Sequence, residues 1–307
     1  MKNPNTPSSG RRQFIRNTTA AAGGIVILPR YVLGGKGYTA PSDKVNIGIV
    51  GAGGQGQSNV RNLLQLDDVQ ITSVTDPGRY WDLNRFYYKS IAGREPVSEM
   101  IDDHYRKKGG NKVVRQYKRF SEMMDREKDI DAILCATPDH THAFITIAAL
   151  KAGLHVYCEK PMAHNIWETR MVRKVVQETG LATQMGNVGH SRDGIRSLVE
   201  YLQDGAIGTV REIHAWVPAG RWTPGITGLP QNTSPLPHDF DWKEWLGPSP
   251  FRPYNDLFSP VTWRDFWIYG CGALGDFGCH DMDAPFWAFD LSSPSEVQIY
   301  PAGQSNS

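Results

Sequence analysis

An aspartate and a histidine near the C-terminus have the spacing needed for proton transfer. Asp276 and His280 follow a glycine-rich run and lie one helical turn apart, so both would project from the same face of a helix, with Asp283 on the same stripe. Imidazole exchanges protons near neutral pH, and a neighbouring carboxylate can orient it and stabilise its charge. The alternative is a structural hydrogen bond on a helix face, which is the commoner use of such a pair.

A metal site is a third interpretation of this region, because Cys271 and Cys279 lie close to His280 in the sequence. The spacing of these residues fits no standard site. The chain has four cysteines, and they form no zinc-ribbon pattern. We therefore predict no metal.

A glycine loop in the N-terminal half indicates a phosphate-binding site. Gly51, Gly53 and Gly56 give the pattern G-x-G-x-x-G between the apolar run at 45–50 and a segment with helical spacing. Backbone N–H groups at the start of that helix, including those of Gly54 and Gln55, would face an anion with no side chain in the way. The alternative is a structural turn that binds no cofactor.

An aspartate at the end of the next strand extends the glycine loop to a dinucleotide-binding pattern. Asp76 follows Gly56 by about 20 residues, the offset at which a carboxylate meets the hydroxyls of the adenosine ribose. A carboxylate at this position repels a 2′-phosphate, so we predict NAD as the cofactor. Arg79, three residues later, is the feature that would admit NADP.

A lysine after a later strand is a second candidate for proton transfer. Lys160 follows an apolar strand and precedes Pro161, which restricts Lys160 to an extended conformation. At the carboxyl end of a strand, beside a nicotinamide, its ammonium group could help to deprotonate an alcohol. The alternative is a surface lysine at the start of a loop.

The elements that position these residues indicate an α/β fold. A buried strand at 131–136 ends at Thr137 and Pro138, and in an open parallel sheet ligands collect beyond such strand ends. We predict three regions, namely a signal and linker at 1–42, a Rossmann NAD(P)-binding domain at 43–186, and a substrate domain at 187–307. An amphipathic helix at 193–205 and an alternating strand at 210–217 begin the last region.

These motifs together resemble the Gfo/Idh/MocA family, which includes glucose–fructose oxidoreductase and inositol dehydrogenase. The resemblance lies in Gly51–Gly56, Asp76, Thr137-Pro138 with His142, and above all Cys158-Glu159-Lys160-Pro161-Met162. It implies a Rossmann domain followed by an α+β domain with an open, mostly antiparallel sheet, and a nicotinamide between the two.

The resemblance also implies roles for individual residues. Glu159 would contact the nicotinamide ribose, and Lys160 would reach the reacting hydroxyl. His280 would be the general base, with Asp276 as its partner. Thr137, Pro138 and His142 would belong to the cofactor site.

The second half of the chain is rich in tryptophan, and two of these residues are candidates for substrate contact. Trp222 lies in a long Pro- and Gly-rich segment, and Trp263 follows it. Flat aromatic faces can cover a sugar ring, so we name both, with Asp283, as possible substrate residues. Structural packing of the same tryptophans is the alternative, because large aromatic side chains mostly bury area.

The two ends of the chain carry separate predictions. Ser9–Arg16, with paired arginines before Phe14, resembles a twin-arginine export signal, and the alternative is a disordered basic tail. The apolar run after it is too short to span a bilayer. At the other end, 296–300 resembles a further strand close to the end of the sequence, so we expect a truncated substrate domain with an unpaired sheet edge.

The overall composition limits the possible partners. The chain has 307 residues and a formal net charge of +1, which gives no reason to expect nucleic acid or an anionic membrane. We expect a carbohydrate or polyol as the substrate, no stable membrane anchor, and a homo-oligomer.

We therefore predict an exported, NAD-dependent oxidoreductase that moves hydride between a sugar or polyol carbon and a tightly held nicotinamide. One alternative is an NAD-dependent glycoside hydrolase that works by transient oxidation and elimination. The other is a non-catalytic nucleotide-binding subunit.

Overall fold

The computed structural model describes residues 39–110, 113–217, 226 and 228–298. The predicted export signal and Trp222 lie outside these residues. The chain divides into two units, Met1–Lys44 and Val45–Ser307. The described part of the first unit contains a short 3₁₀ helix at Pro41–Asp43. The rest of the fold concerns the second unit.

The central element of the second unit is a six-stranded parallel sheet. Its strands are β1 (Val45–Val50), β2 (Val69–Thr75), β5 (Arg115–Tyr117), β6 (Ala132–Cys135), β7 (His155–Glu159) and β8 (Thr183–Gly186). They lie in the order β5-β2-β1-β6-β7-β8. A short antiparallel pair, β3 (Trp81–Asp82) and β4 (Ile91–Ala92), is separate from this sheet. The order of the large sheet reverses between β1 and β6, which is the point where α/β folds of this type bind ligands.

Helices connect and follow these strands. They are α1 (Gly54–Leu63), α2 (Arg94–Lys107), α3 (Phe120–Arg126), α4 (Asp139–Lys151), α5 (Ile166–Thr179), α6 (Asp193–Gln203), α7 (Trp242–Leu246), α8 (Gly272–Asp281) and α9 (Asp283–Ala288). Short 3₁₀ helices occur at Val188–Ser191 and Thr262–Asp265. No helix among the described residues is long and apolar enough to cross a membrane.

Hydrophobic clusters cover both faces of the sheet, as parallel sheets require. Side chains alternate between the faces along each strand. In β1, Ile49 joins a cluster with Val60 of α1 and Ile101 of α2. The next residue, Val50, joins the opposite cluster with Met123 of α3 and Leu150 of α4. This two-sided burial fixes the register of β1 and therefore the place where its glycine loop begins.

A third cluster is built mainly from aromatic residues of the C-terminal half. We call residues 239–271 the aromatic segment. Its buried rings are Phe240, Trp242, Trp245, Tyr254, Phe258, Trp263, Phe266 and Tyr269, and they pack with Trp81 and Leu83 of the first half. Packing therefore accounts for these tryptophans, whereas Trp216 and Trp267 are each 80% exposed.

The strand that we predicted at 210–217 is not formed, and these residues are irregular. Alternation of side chains specifies which face of a strand is buried, but a strand also needs a neighbour for its backbone hydrogen bonds. No strand among the described residues pairs with 210–217.

Candidate active site

The three glycines of the loop after β1 have three different structural roles. Gly51 has φ of +92°, and a Cβ atom there would lie 2.6 Å from the carbonyl of Ala136 at the end of β6. A Cβ atom at Gly56 would lie 2.0 Å from the carbonyl oxygen of Gly51, so α1 can pack this closely only without a side chain. Gly53, the N-cap of α1, has no such neighbour within 4 Å. The N-terminus of α1 is therefore open at Gly53 for the close approach of a phosphate group.

Asp76 is buried at the end of β2, beside the glycine loop. One carboxylate oxygen accepts a hydrogen bond from the backbone N–H of Ala52 at 2.8 Å. The other accepts from the N–H of Gly78 at 2.8 Å and from Trp81 Nε1 at 3.0 Å. Burial raises the pKa of Asp76, and these donors oppose the rise. Asp76 thus fixes the loop as well as lining the cleft described next.

A cleft of about 500 Å³ lies over the carboxyl edge of the sheet. Its floor includes the predicted cofactor residues Gly51, Gly53, Gly54, Gln55, Asp76, Thr137 and Pro138. Its opposite wall comes from the aromatic segment, with Asp241, Glu244, Trp245, Trp263 and Arg264. Trp263 therefore lines the cleft, and it was predicted as a substrate residue.

Charged groups attach the aromatic segment to the edge of the sheet. Asp239 forms ion pairs with Arg94 of α2 and with Lys118. Asp241 lies 2.9 Å from Arg119 Nε. Glu244 accepts a hydrogen bond from the backbone N–H of Phe120 at 2.9 Å. These contacts use side chains of the aromatic segment, and a backbone hydrogen bond from Asp241 N–H to the Pro77 carbonyl oxygen at 3.0 Å adds to them.

A buried histidine joins the two regions at a second place. His140 of α4 has its Nε2 atom 3.0 Å from the carbonyl oxygen of Trp245, and its backbone N–H donates to Tyr269. A carbonyl accepts but does not donate, so Nε2 carries the proton. Burial lowers the pKa of His140 to about 4, and the ring is therefore neutral at physiological pH.

The other predicted histidine of this half, His142, is buried behind the loops of the cleft. Its Nδ1 atom is 2.7 Å from the carbonyl oxygen of Pro161, and its Nε2 atom is 2.8 Å from that of Thr137. It lines neither the cleft nor the smaller cavity described below. His142 thus holds the loop after β6 against the loop after β7.

His142 also belongs to the one group of potential metal ligands among the described residues, together with Cys135 and Cys158. Burial raises the pKa of the Cys135 thiol, which opposes formation of the thiolate that metals bind. Both ring nitrogens of His142 already face carbonyl oxygens. The contacts of this group therefore fit hydrogen-bonded packing rather than metal coordination.

Glu159 is held at the end of β7 by side chains of α1. Its Oε1 atom accepts hydrogen bonds from Asn59 Nδ2 at 2.7 Å and from Gln55 Nε2 at 3.3 Å. A Cβ atom at Gly186 would lie 2.8 Å from its carboxyl carbon. The carboxylate therefore has a defined position beside the glycine loop, and it lines the smaller cavity.

A cavity of about 220 Å³ brings together the residues predicted for proton transfer. It is lined by Lys160, Asp276 and His280, together with Gln55, Tyr87, Tyr88, Thr137, Asp139, Glu159, Arg264 and Phe277. Lys160 comes from the loop after β7, and His280 comes from α8. The sequence places these two residues far apart, and the fold places both on one small cavity.

The structure gives Asp276 a different partner from the one that we predicted. Lys160 Nζ lies 2.5 Å from Asp276 Oδ1 and 2.8 Å from its backbone oxygen. Arg264 Nε lies 3.7 Å from the same Oδ1 atom. Asp276 thus orients Lys160 directly, and it acts on His280 through its charge.

The electrostatic surroundings of His280 favour the neutral ring. Burial lowers its pKa, and the positive charge of Lys160 lowers it further, against the opposing effect of Asp276. A neutral imidazole at physiological pH is the form that can accept a proton. His280 is therefore suited to the role of a general base.

Asp283 does not share the helical stripe of Asp276 and His280, and this part of the prediction is wrong. The helix α8 ends at Asp281, and Asp283 begins the next helix, α9. Pro285 explains the interruption, because proline is tolerated in the first turn of a helix but not in its interior. The carboxylate of Asp283 instead forms a hydrogen bond with His190 Nδ1, at 2.9 Å. It is not among the residues that line the small cavity.

The sequence alone gives no binding role to Tyr87, Tyr88 or Arg264. The ring of Tyr88 packs on Gly54, where a Cβ atom would lie 2.3 Å from the ring. Tyr88 and Arg264 line both the cleft and the small cavity. The two tyrosines lie between β3 and β4, in an insertion that carries no motif. No local sequence signal marks them as part of the site.

The site as a whole has the features needed to bind a dinucleotide. The N-terminus of α1, which is open at Gly53, lies at the point where the strand order reverses. A long cleft extends from it past Asp76, and a smaller cavity with an amine and an imidazole lies next to it. The donor groups and the absence of a Cβ atom at Gly53 fit the diphosphate of such a cofactor.

Comparison with known protein families agrees with this geometry. Residues 45–187 match the Gfo/Idh/MocA oxidoreductase family, NAD-binding Rossmann fold. Residues 211–306 match the C-terminal alpha/beta domain of the same oxidoreductase family. The chain belongs to the Gfo/Idh/MocA family. The predicted family, the α/β fold class and NAD as the cofactor of the family are thereby confirmed.

Several curated members of the family are similar to this chain. The levoglucosan dehydrogenase of Pseudarthrobacter phenanthrenivorans is 23% identical over 78% of this chain and 50% of its own length. The myo-inositol 2-dehydrogenase of Thermotoga maritima is 27% identical over 53% of this chain and 42% of its own. A glycosyl hydrolase family 109 protein of Solibacter usitatus is 31% identical over 42% of this chain and 27% of its own. The chain spans half or less of the length of these relatives.

Proposed function

We propose that the protein is an NAD-dependent oxidoreductase that acts on a hydroxyl carbon of a sugar or a cyclic polyol. The observation that carries the proposal is the shared cavity of Lys160 and His280, directly beside the glycine-loop cleft. Relatives named as levoglucosan and inositol dehydrogenases support this class of substrate.

The residues of the small cavity have distinct roles in this proposal. Bound NAD would accept a hydride from the alcohol carbon. His280 removes the hydroxyl proton at Nδ1 or Nε2, because its lowered pKa keeps the ring neutral. Lys160, held by Asp276, binds the oxygen of the reacting hydroxyl and stabilises the negative charge that develops on it. Glu159 and Thr137 position the cofactor end of the site.

The test is a substrate panel with the purified full-length protein. Mass spectrometry of the nucleotide that co-purifies identifies the cofactor, and sugars and cyclic polyols are then screened by NADH absorbance. We expect NADH formation with at least one of these compounds. Cofactor binding with no hydride exchange towards any of them would favour a non-catalytic nucleotide-binding subunit instead.

Glycoside hydrolysis by transient oxidation is the second candidate. It is supported by the similarity to a glycosyl hydrolase family 109 protein. In this reaction NAD bound at the same cavity would take a hydride from the sugar, the aglycone would be eliminated, water would add in its place, and the hydride would return to the sugar, so no NADH would accumulate. Release of a chromogenic aglycone without net NADH decides for this alternative.

We also propose export by the twin-arginine route, supported by the paired residues Arg11 and Arg12. The test is a fusion of residues 1–42 to a reporter that is active only after export. We expect export that is lost when both arginines are replaced by lysine. Export that persists in the double variant would contradict the proposal.

A further inference from the structure

The cleft and the small cavity share a boundary, which we call the passage and define by the residues lining both. These residues are Gln55, Tyr88, Ala136, Thr137 and Arg264. The passage lies at the N-terminus of α1, which begins at Gly54. On one side of the passage, Asp76 in the cleft marks where the adenosine of the dinucleotide would lie. On the other side, Lys160 in the small cavity marks where the reacting nicotinamide would lie. A dinucleotide that spans both must therefore have its diphosphate at this passage.

Arg264 is the only charged residue among the five that line the passage. The other contributions there are backbone N–H groups and the partial positive charge of the helix N-terminus, which amounts to roughly half an elementary charge. A diphosphate carries about two negative charges. A guanidinium group is the side chain best matched to phosphate oxygens, because its N–H donors form a planar fork.

The surroundings of Arg264 hold its side chain in place from the aromatic segment. Its guanidinium carbon lies 4.2 Å from the centre of the Trp263 ring. A Cβ atom at Gly270 would lie 2.5 Å from the backbone oxygen of Arg264, so the chain packs closely behind it. Its side chain is 17% exposed. A cation that is already oriented and largely desolvated interacts strongly with an incoming anion.

Two carboxylates, Asp276 and, more weakly, Asp139, act on Arg264 through their charge. Asp276 Oδ1 lies 3.7 Å from Arg264 Nε and 2.5 Å from Lys160 Nζ, so one carboxylate is shared between two cations. Asp276 therefore does not neutralise both cations, and Asp139 and Glu159 are the other carboxylates that line the small cavity. We propose that Arg264 binds the diphosphate of the dinucleotide and so supplies a cofactor contact from the C-terminal half of the chain. The inference rests on the proposed function.

The experiment measures ligand binding to the full-length protein by isothermal titration calorimetry. The probes are NAD, ADP-ribose, which has the diphosphate but no nicotinamide, and adenosine, which has no phosphate. We expect Arg264→Gln to weaken the binding of NAD and ADP-ribose by roughly 10- to 100-fold, as for loss of a hydrogen bond between charged groups. Adenosine binding should be unchanged, and the salt dependence of ADP-ribose binding should become smaller.

Two further variants separate a diphosphate contact from a structural role. Arg106→Gln removes the same charge at an exposed residue that lines neither cavity and pairs with Asp103, so NAD affinity should stay within about twofold. Arg264→Lys keeps the charge and should bind ADP-ribose better than Arg264→Gln does. It also provides a test if the glutamine variant does not fold.

The outcomes distinguish this inference from the proposed function. If the wild-type protein binds neither NAD nor ADP-ribose, the proposed function fails. If it binds both and Arg264→Gln binds them equally well, only the inference is overturned. It is also overturned if adenosine binding falls by the same factor. A third contradicting result would be an equal loss of ADP-ribose binding in Asp276→Asn, because Arg264 would then act only by holding Asp276.

Discussion

The two walls of the cleft are held in place by different kinds of interaction. On the sheet side, backbone hydrogen bonds continue into the loops, as in Gly51 N–H to Thr75 at 2.8 Å and Ala136 N–H to Val50 at 2.8 Å. On the side of the aromatic segment, some contacts are backbone hydrogen bonds, as in Asp241 N–H to Pro77 at 3.0 Å, but many others run through side chains. The backbone N–H of Cys271, for example, donates to the Asp139 carboxylate at 3.0 Å.

This difference has consequences for stability and for function. Backbone hydrogen bonds in a parallel sheet depend little on the identity of any one side chain. The attachment of the aromatic segment depends on individual charges and on one neutral histidine. Single substitutions and changes of pH should therefore weaken mainly the attachment of the aromatic segment. The glycine loop should be destabilised mainly by side chains that add volume.

The largest expected effect is on turnover, because the loop after β7 and the helix α8 each contribute one residue to the small cavity. Lys160→Ala and His280→Ala should each lower kcat by roughly 10²- to 10⁴-fold, the usual contribution of a positioned acid or base. NAD binding should remain. The measurement is steady-state turnover on the best substrate of the panel, with calorimetric NAD titration. Lys151→Ala, at the exposed end of α4, is the matched control. Near-normal turnover in either active-site variant would contradict the role of the cavity.

Alanine substitutions at two glycines of the loop should separate the loop's contribution to stability from its contribution to NAD binding. Gly56→Ala places a Cβ atom 2.0 Å from the Gly51 oxygen, and we expect a loss of about 3 kcal/mol or more in unfolding free energy. Gly53→Ala has no neighbour to displace, so its loss should stay below about 1 kcal/mol, while NAD affinity falls. Urea denaturation and NAD titration of both variants check this. Equal stability of the two variants would show that the close packing of α1 is not required.

Acid should weaken the attachment of the aromatic segment through His140. Its pKa is lowered from 6.5 to about 4 on folding, so the unfolded chain binds the proton more tightly. Stability is therefore complete above pH 6.5 and declines as the pH falls towards 4, by about 3 kcal/mol in total. His140→Gln should remove this part of the pH dependence in urea denaturation. His214→Gln, at an exposed histidine, should leave it unchanged.

The smallest effect is expected from single ion pairs. Asp239→Asn weakens the contacts with Arg94 and Lys118, and we expect a loss of about 1–2 kcal/mol because Arg94 is buried. Asp103→Asn breaks the exposed pair with Arg106 and should cost below about 0.5 kcal/mol. Equal losses in thermal denaturation would show that burial does not distinguish the two pairs.

The Rossmann half was predictable because its signals are local. Alternating apolar residues, a glycine pattern and Asp76 at a fixed offset each report on the backbone around them. The role of Asp76 is broader than predicted, since its carboxylate also accepts hydrogen bonds from Ala52, Gly78 and Trp81.

The C-terminal half was less predictable because its contacts are distant in sequence. The predicted strand at 210–217 lacks a described partner, and Asp283 is separated from His280 by a helix end at Asp281. Asp276 pairs with Lys160 across 116 residues rather than with its neighbour on the helix. The i, i+4 spacing specifies a shared helix face, but it does not specify which group that face meets.

The sequence by itself determined the glycine loop, the identity of the candidate acid and base, and the family to which they belong. These follow from short stretches whose conformation is set by local sterics and hydrogen bonding. Only the tertiary structure decided that Lys160 and His280 share one cavity, that Asp276 and Arg264 adjoin it, and that Tyr87 and Tyr88 complete its wall. Such convergence depends on how the helices and the aromatic segment pack on the sheet, and packing is a property of the whole chain.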